Sequence, residues 1–198
     1  MSVDHPNRTV VKKGEDTTRK DISVLIVEDD PSLLTLYRDY LSNKYDVDIA
    51  KTGKEAKNKA GPNTDIVLLD RRLPNHSGAE ILHELRNDKE FSAKVAMLTG
   101  VAPTGDILEL PIDDYKTKPI DHSEIHDLVR TLLLQRSYEI ISQKFFRLNS
   151  KRSALKEAGN DKTDAYLQVT DEIERCQKKI EEIIKEINND SIFRTFPK

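Results

Sequence analysis

The chain has one cysteine, Cys176, and no apolar run approaching the ~18 residues of a membrane span. A lone cysteine excludes an internal disulfide framework and fits a reducing compartment. The first twenty residues are polar and mixed in charge, without the apolar centre of a secretory signal. These absences set the expectation of a cytoplasmic protein with no membrane partner. Net charge is −3. That is too little of either sign for the whole molecule to act as a polyelectrolyte towards nucleic acid or lipid. The hydrophobic fraction is low, 36% of 198 residues. It suffices for one modest core, and the charge-rich remainder suits exposed helices.

Residues 1–21 show no hydrophobic period and carry Arg8, Lys12, Lys13, Arg19 and Lys20. They read as a disordered leader. Ile22 to Val27 is a nearly continuous apolar run, as expected of a buried parallel strand, and Glu28-Asp29-Asp30 closes it. Pro31 suits a first helical turn, and Leu33, Leu34, Tyr37 and Leu41 recur behind it at helical spacing. Tyr45 to Ala50 predicts a second strand, and Gly53 to Ala60 a short helix stopped by Gly61-Pro62. Asp65 to Leu69 is a third strand, ending at Asp70. A loop over 71–76 leads to Ser77, a cap for a helix with the apolar face Ile81, Leu82 and Leu85. Val95 to Leu98 is a fourth strand, closed by Thr99-Gly100. A fifth lies within Ile112 to Thr117, before Lys118-Pro119, and a helix begins near Asp121 or Ser123. Strands alternating with helices predict an α/β fold, a doubly wound parallel sheet of five strands with helices on both faces.

Past Leu134 the period changes. Leu134, Tyr138, Ile141, Phe145, Leu148, Arg152 and Leu155 step by four and three, and Tyr166, Val169, Ile173, Cys176, Ile180, Ile183 and Ile187 resume the pattern. These are heptad positions on two long helices joined by a turn at Gly159-Asn160-Asp161, with Asp161 the expected cap of the second. The first should continue the last helix of the sheet domain. The period alone does not separate an antiparallel hairpin from a coiled coil across a dimer.

Glu28-Asp29, Asp70, Thr99 and Lys118 each follow a strand. In a doubly wound sheet those ends are neighbours, at the edge where ligands bind. Carboxylates held together repel one another and require a cation, and an all-oxygen set selects a hard ion such as Mg²⁺. Asp70 is then a candidate nucleophile towards a phosphoryl group, giving an acyl phosphate. Lys118 can pair with a phosphoryl oxygen and Thr99 can donate its hydroxyl to another. There is no Ser/His triad and no Gly-rich phosphate loop, so the phosphoryl group would come from a donor rather than from a bound nucleotide.

Five segments carry a family resemblance: Val-Leu-Ile-Val-Glu-Asp-Asp-Pro (24–31), Ile-Val-Leu-Leu-Asp (66–70), Leu-Pro-Asn-His-Ser-Gly-Ala-Glu (73–80), Met-Leu-Thr-Gly (97–100) and Asp-Asp-Tyr-Lys-Thr-Lys-Pro (113–119). With them residues 22–135 resemble a two-component response-regulator receiver (CheY-like). The resemblance implies a flavodoxin-like fold of strand order 2-1-3-4-5, and phosphorylation of Asp70 by the phosphohistidine of a sensor histidine kinase. It implies Mg²⁺ on Asp29, Asp70 and the Arg72 backbone carbonyl, with Glu28 acting through water. It also implies a Thr99–Tyr115 switch pair and a cis Lys118-Pro119 bond. The chain departs from the pattern between Thr99 and Tyr115, where a short segment stands in place of the fourth helix. Residues 136–190 resemble the HalX module found after archaeal receivers, through Arg136-Ser-Tyr138, Phe146 to Leu155 and Tyr166-Leu167. Residues 191–198 are left as a tail. Together these imply a response regulator whose phosphorylation changes a helical output or dimerisation module, with transcription as a candidate target and only self-catalysed phosphorylation and slow dephosphorylation as chemistry.

Plainer readings stand beside these. Tyr115 also reads as an ordinary strand-edge aromatic. Arg71 and Arg72 read as exposed charge, His122 and His126 as solvent-facing histidines with no third metal ligand, and Cys176 as a small core residue. Residues 143–156 hold Lys144, Arg147, Lys151, Arg152 and Lys156 with no acid. That is either a solvated or partner-facing surface or a DNA contact. A homodimer through the helical module, DNA binding through 143–156, and a coiled-coil scaffold with a docking-only receiver stay open as alternatives.

Overall fold

The computed structural model describes residues 21–74, 76–100 and 109–189. The leader 1–20, most of the shortened segment after Gly100 and the tail 191–198 lie outside them. Twelve elements follow in order: β1 (Ser23–Val27), α1 (Pro31–Leu41), β2 (Asp46–Ala50), α2 (Gly53–Lys59), β3 (Ile66–Asp70), β4 (Arg72–Leu73), β5 (His76–Ser77), α3 (Gly78–Asn87), β6 (Lys94–Thr99), β7 (Asp114–Thr117), α4 (His122–Glu157) and α5 (Asp164–Asn189).

The main sheet is parallel, in the order β2-β1-β3-β6-β7. This is the expected 2-1-3-4-5 arrangement once the small antiparallel pair β4–β5 is set apart. That pair occupies the stretch 71–76 expected as loop. The central strands β1, β3 and β6 carry apolar side chains on both faces because both faces are covered. Val24, Ile26, Ile66, Leu68, Ala96 and Leu98 face α1 and α4, packing with Leu34, Tyr37, Ile125 and Leu128. Leu25, Val27, Val67, Leu69, Val95 and Met97 face α2 and α3, packing with Ala56, Ile81, Leu82 and Leu85. The alternation of even and odd numbers is the two-residue period of a strand.

Local chemistry fixes the helix starts. Asp30 caps α1 ahead of Pro31, accepting from the Ser32 and Leu33 amides. Ser77 and Glu80 form a reciprocal capping box at α3, and Asp121 and Glu124 form another at α4. Gly78 opens α3 against the carboxyl edge of the sheet. A Cβ there would stand 2.4 Å from the Asp70 carbonyl oxygen, so only glycine lets the helix approach.

α4 is one unbroken 36-residue helix. It lies along the sheet and is bolted to the opposite, amino edge. Arg136 donates to the Ser92 carbonyl at 2.5 Å. The buried Lys94 ammonium lies 2.8 Å from Asp113 and 2.5 Å from Glu139. Beyond that edge the helix leaves the sheet with α5 as its partner, and the expected boundary at 135/136 falls inside it. A glycine turn ends it. Gly159 has φ of 73°, its amide donates to the Lys156 carbonyl at 3.0 Å, and the Asn160 amide donates to the Leu155 carbonyl at 2.9 Å. That pair of bonds is the Schellman motif. α5 then runs back antiparallel, as the pairs Lys144–Glu172 (2.9 Å) and Arg130–Glu186 (2.7 Å) show. Its cap is Thr163 and not Asp161: the Thr163 side-chain oxygen accepts from the Tyr166 amide, two residues nearer the helix than expected. The hairpin core is small, with Leu148, Ile173 and Cys176 buried among Ile141, Phe145 and Val169.

Candidate functional site

β1 and β3 are hydrogen-bonded neighbours, so their ends bring Glu28, Asp29 and Asp70 together. One ligand oxygen from each lies within 4.8 Å of the others. Glu28 and Asp70 are 1% and 6% exposed, and Asp29 is open to solvent. The Glu28 amide donates to the Ala50 carbonyl at 3.0 Å, which fixes the turn after β1. The Asp70 Oδ1 accepts from the Arg72 amide at 3.2 Å, which orients the carboxylate.

Lys118 arrives from the far side of the sheet. Its amide donates to the Thr99 carbonyl at 2.7 Å, and the following bond to Pro119 is cis. Its ammonium lies 2.6 Å from Glu28 Oε2 and 3.0 Å from Asp70 Oδ2. Burial alone would lower the Lys118 pKa, but hydrogen bonds and charge from Glu28 and Asp70 outweigh it, and the amine is held above its ordinary value, as a cation. Burial pushes the Glu28 carboxyl up. The Lys118 hydrogen bond opposes that shift and the Asp70 charge adds to it. The donor set is all oxygen and partly open through Asp29, which fits a hard divalent cation held with part of its water shell.

Thr99 is 1% exposed at the end of β6, one strand away from Asp70. Tyr115 is half-buried on β7 and packs against the core under α2 and α3. Strand alternation puts Thr99 and Tyr115 on that same face. Arg71 and Arg72, with Ser77, Ala79, His83, Glu109 and Leu110, line an open cavity of about 570 Å³ beside the Asp70 loop. Gly78 is a positioning residue that stands within the 73–80 segment but to which the motif assigned no role. Its signal is the glycine eight residues after the aspartate, at the first turn of a helix.

The histidines stay outside the cluster. The His122 and His126 rings are 4.6 Å apart, and His126 Nε2 meets the Tyr40 carbonyl at 3.0 Å. Burial lowers the His126 pKa, with the Lys44 charge adding to it. Among the described residues the one group of three metal-type ligands is Glu28, Asp29 and Asp70. No helix of the described residues is long and apolar enough to cross a membrane. Of the basic stretch, Lys144 is drawn to Glu172 on α5, while Arg147 and Lys151 are exposed.

Residues 24–130 match the model of the response regulator receiver domain, and residues 135–196 that of the HalX domain. A putative transcriptional regulator of Haloferax volcanii is 38% identical over 133 residues, covering 67% of this chain and 23% of that protein. The alkaline phosphatase synthesis transcriptional regulatory protein PhoP of Bacillus subtilis is 36% identical over 115 residues, 56% of this chain and 48% of that one. The chain thus spans between about a quarter and a half of these relatives. Among solved structures, a CheY-like receiver domain protein from Methanospirillum hungatei superposes with a TM-score of 0.53 at 28% identity, over 60% of this chain and 98% of that one. The response regulator TrrA of Thermotoga maritima, in complex with Mg(2+)-BeF, gives a TM-score of 0.51 at 32% identity, over 56% and 98%.

Proposed function

The chain belongs to the response regulator receiver family, and on that premise we propose that it is the phosphoacceptor of a two-component relay, with Asp70 the acceptor and a sensor histidine kinase the donor. The observation that carries this is the cluster itself: three carboxylates within 4.8 Å, two of them bridged by one ammonium. An Asp70 oxygen attacks phosphorus, the phosphorus–nitrogen bond to the donor imidazole breaks, and an acyl phosphate forms. Lys118 balances charge beside Asp70 and is placed to pair with a phosphoryl oxygen. The Thr99 hydroxyl donates to another, and Tyr115 on the same sheet face follows it as the second member of a switch. Glu28, Asp29, Asp70 and the Arg72 carbonyl would hold Mg²⁺, which when bound withdraws charge from the incoming phosphoryl group. TrrA, named as a complex with Mg(2+)-BeF, supports that assignment by likeness.

The output we assign to the helical hairpin. Relatives named as transcriptional regulators support a role in transcription. Direct DNA contact through 143–156 has weaker support, since Glu172 partly neutralises that face. The test is transfer of label from an acyl-phosphate donor in the presence of Mg²⁺. Wild type should take up label and Asp70→Asn should not. Undiminished labelling of the variant would refute the assignment.

A further inference from the structure

We infer that the α4–α5 hairpin is half of a four-helix bundle, completed by the hairpin of a second copy of this chain. The inference is independent of the phosphoryl chemistry. It starts from how charge is divided between the two sides of the hairpin. The ion pairs Lys144–Glu172 and Arg130–Glu186 lie along one side. At roughly 100° per residue, Arg147 and Lys151 belong to that side too.

On the other side the helices leave an apolar groove of about 410 Å³. Its walls are Tyr138, Ser142, Phe145 and Phe146 from α4, with Gln177 and Ile180 from α5, and Glu181 stands at the rim. Phe146 is 67% exposed and Tyr138 40%. Ile184, one turn on from Ile180, is 41% exposed. A face depleted of charge and enriched in aromatics has the composition of an interface core.

The occupant follows from shape and charge. An apolar groove with a single acid, Glu181, at its rim offers nothing to a nucleic acid or an acidic peptide. It matches a second apolar helix face, and this chain carries one. Two antiparallel hairpins pack face to face about a two-fold axis with Glu181 left at the solvated edge, as four-helix bundles and isologous dimers do. About twenty residues of each helix make a face roughly 30 Å by 20 Å, or about 600 Å² per copy, at the lower end of specific interfaces.

The test is the mass of the full chain in solution across a concentration series, by sedimentation equilibrium. Wild type should pass from monomer to dimer. Phe146→Glu and Ile184→Lys, both at exposed positions, should stay monomeric with unchanged helical content. Arg147→Glu, on the charged side, should associate as wild type does. A monomeric wild type would overturn the inference, whether the groove is then covered by residues 190–198 or by an unlike partner. So would a dimer indifferent to Phe146→Glu and Ile184→Lys.

Discussion

The sheet domain and the helical hairpin solve burial differently. The sheet covers both of its faces, and Leu68, Leu69, Met97 and Leu98 are wholly buried. The hairpin buries one seam. Of the six large apolar side chains left exposed among the described residues, Tyr138, Ile140, Phe146, Leu167 and Ile184 lie on α4 beyond Leu134 or on α5, and Leu36 lies on the sheet domain. Two helices can seal only the stripe between them, whereas a sheet sandwiched by helices seals two. The candidate site sits on the self-sufficient part, and the part that lacks cover is the one with surface to offer a partner.

The two regions should differ most in what a core truncation costs. Leu68→Ala should cost about 2–5 kcal/mol of unfolding free energy, as a cavity in a close-packed core does. Ile173→Ala should cost nearer 2, because the hairpin surface can collapse into the space. Urea titration followed by circular dichroism measures both, and equal costs would contradict the contrast. Gly78→Ala probes the site rather than the core. The added Cβ cannot fit 2.4 Å from the Asp70 carbonyl, so the loop must shift. The rate of phosphoryl uptake should fall at least tenfold while the fold persists, since misplacement by an ångström costs about a hundredfold. Retained wild-type rates would show that the approach of α3 is slack.

The join between the two regions comes next. Glu139→Gln removes one of the two carboxylates that hold buried Lys94. Asp113 remains and Glu139 is partly exposed, so the loss should be about 1 kcal/mol. It should appear as faster amide exchange in α4 near the amino edge of the sheet, with α1 unaffected. The smallest effect is in pH. The Lys144 hydrogen bond holds the Glu172 carboxyl below its ordinary value. Its stabilisation is therefore complete above the unfolded value of 4.5 and is lost as pH falls through the lower folded value. The pair is exposed, so the hairpin should loosen only slightly in acid, less still in salt, and not measurably in Lys144→Gln.

The parallel order and the meeting of the candidate site residues at one edge were legible because each rests on a local signal. A strand apolar on both faces must be central. Acids, threonine and lysine placed just after strands must meet at one edge. The cap of α5 was misread because Asp161 and Thr163 both suit the role, and the glycine turn, which runs to Asn160, decides between them. The bolt at the amino edge was not legible at all. Lys94, Asp113 and Glu139 are distant in sequence, and each alone looks like surface charge. The hairpin's direction needed the turn geometry, because a heptad period is the same in either orientation.

The proposed acceptor of the phosphoryl group, Asp70, can be identified chemically. Borohydride reduces an aspartyl phosphate to homoserine, which peptide mass spectrometry locates. After reaction with an acyl-phosphate donor and Mg²⁺, homoserine should appear at position 70. Homoserine at Asp29 or another carboxylate, with residue 70 recovered as aspartate, would rule out Asp70 as the acceptor.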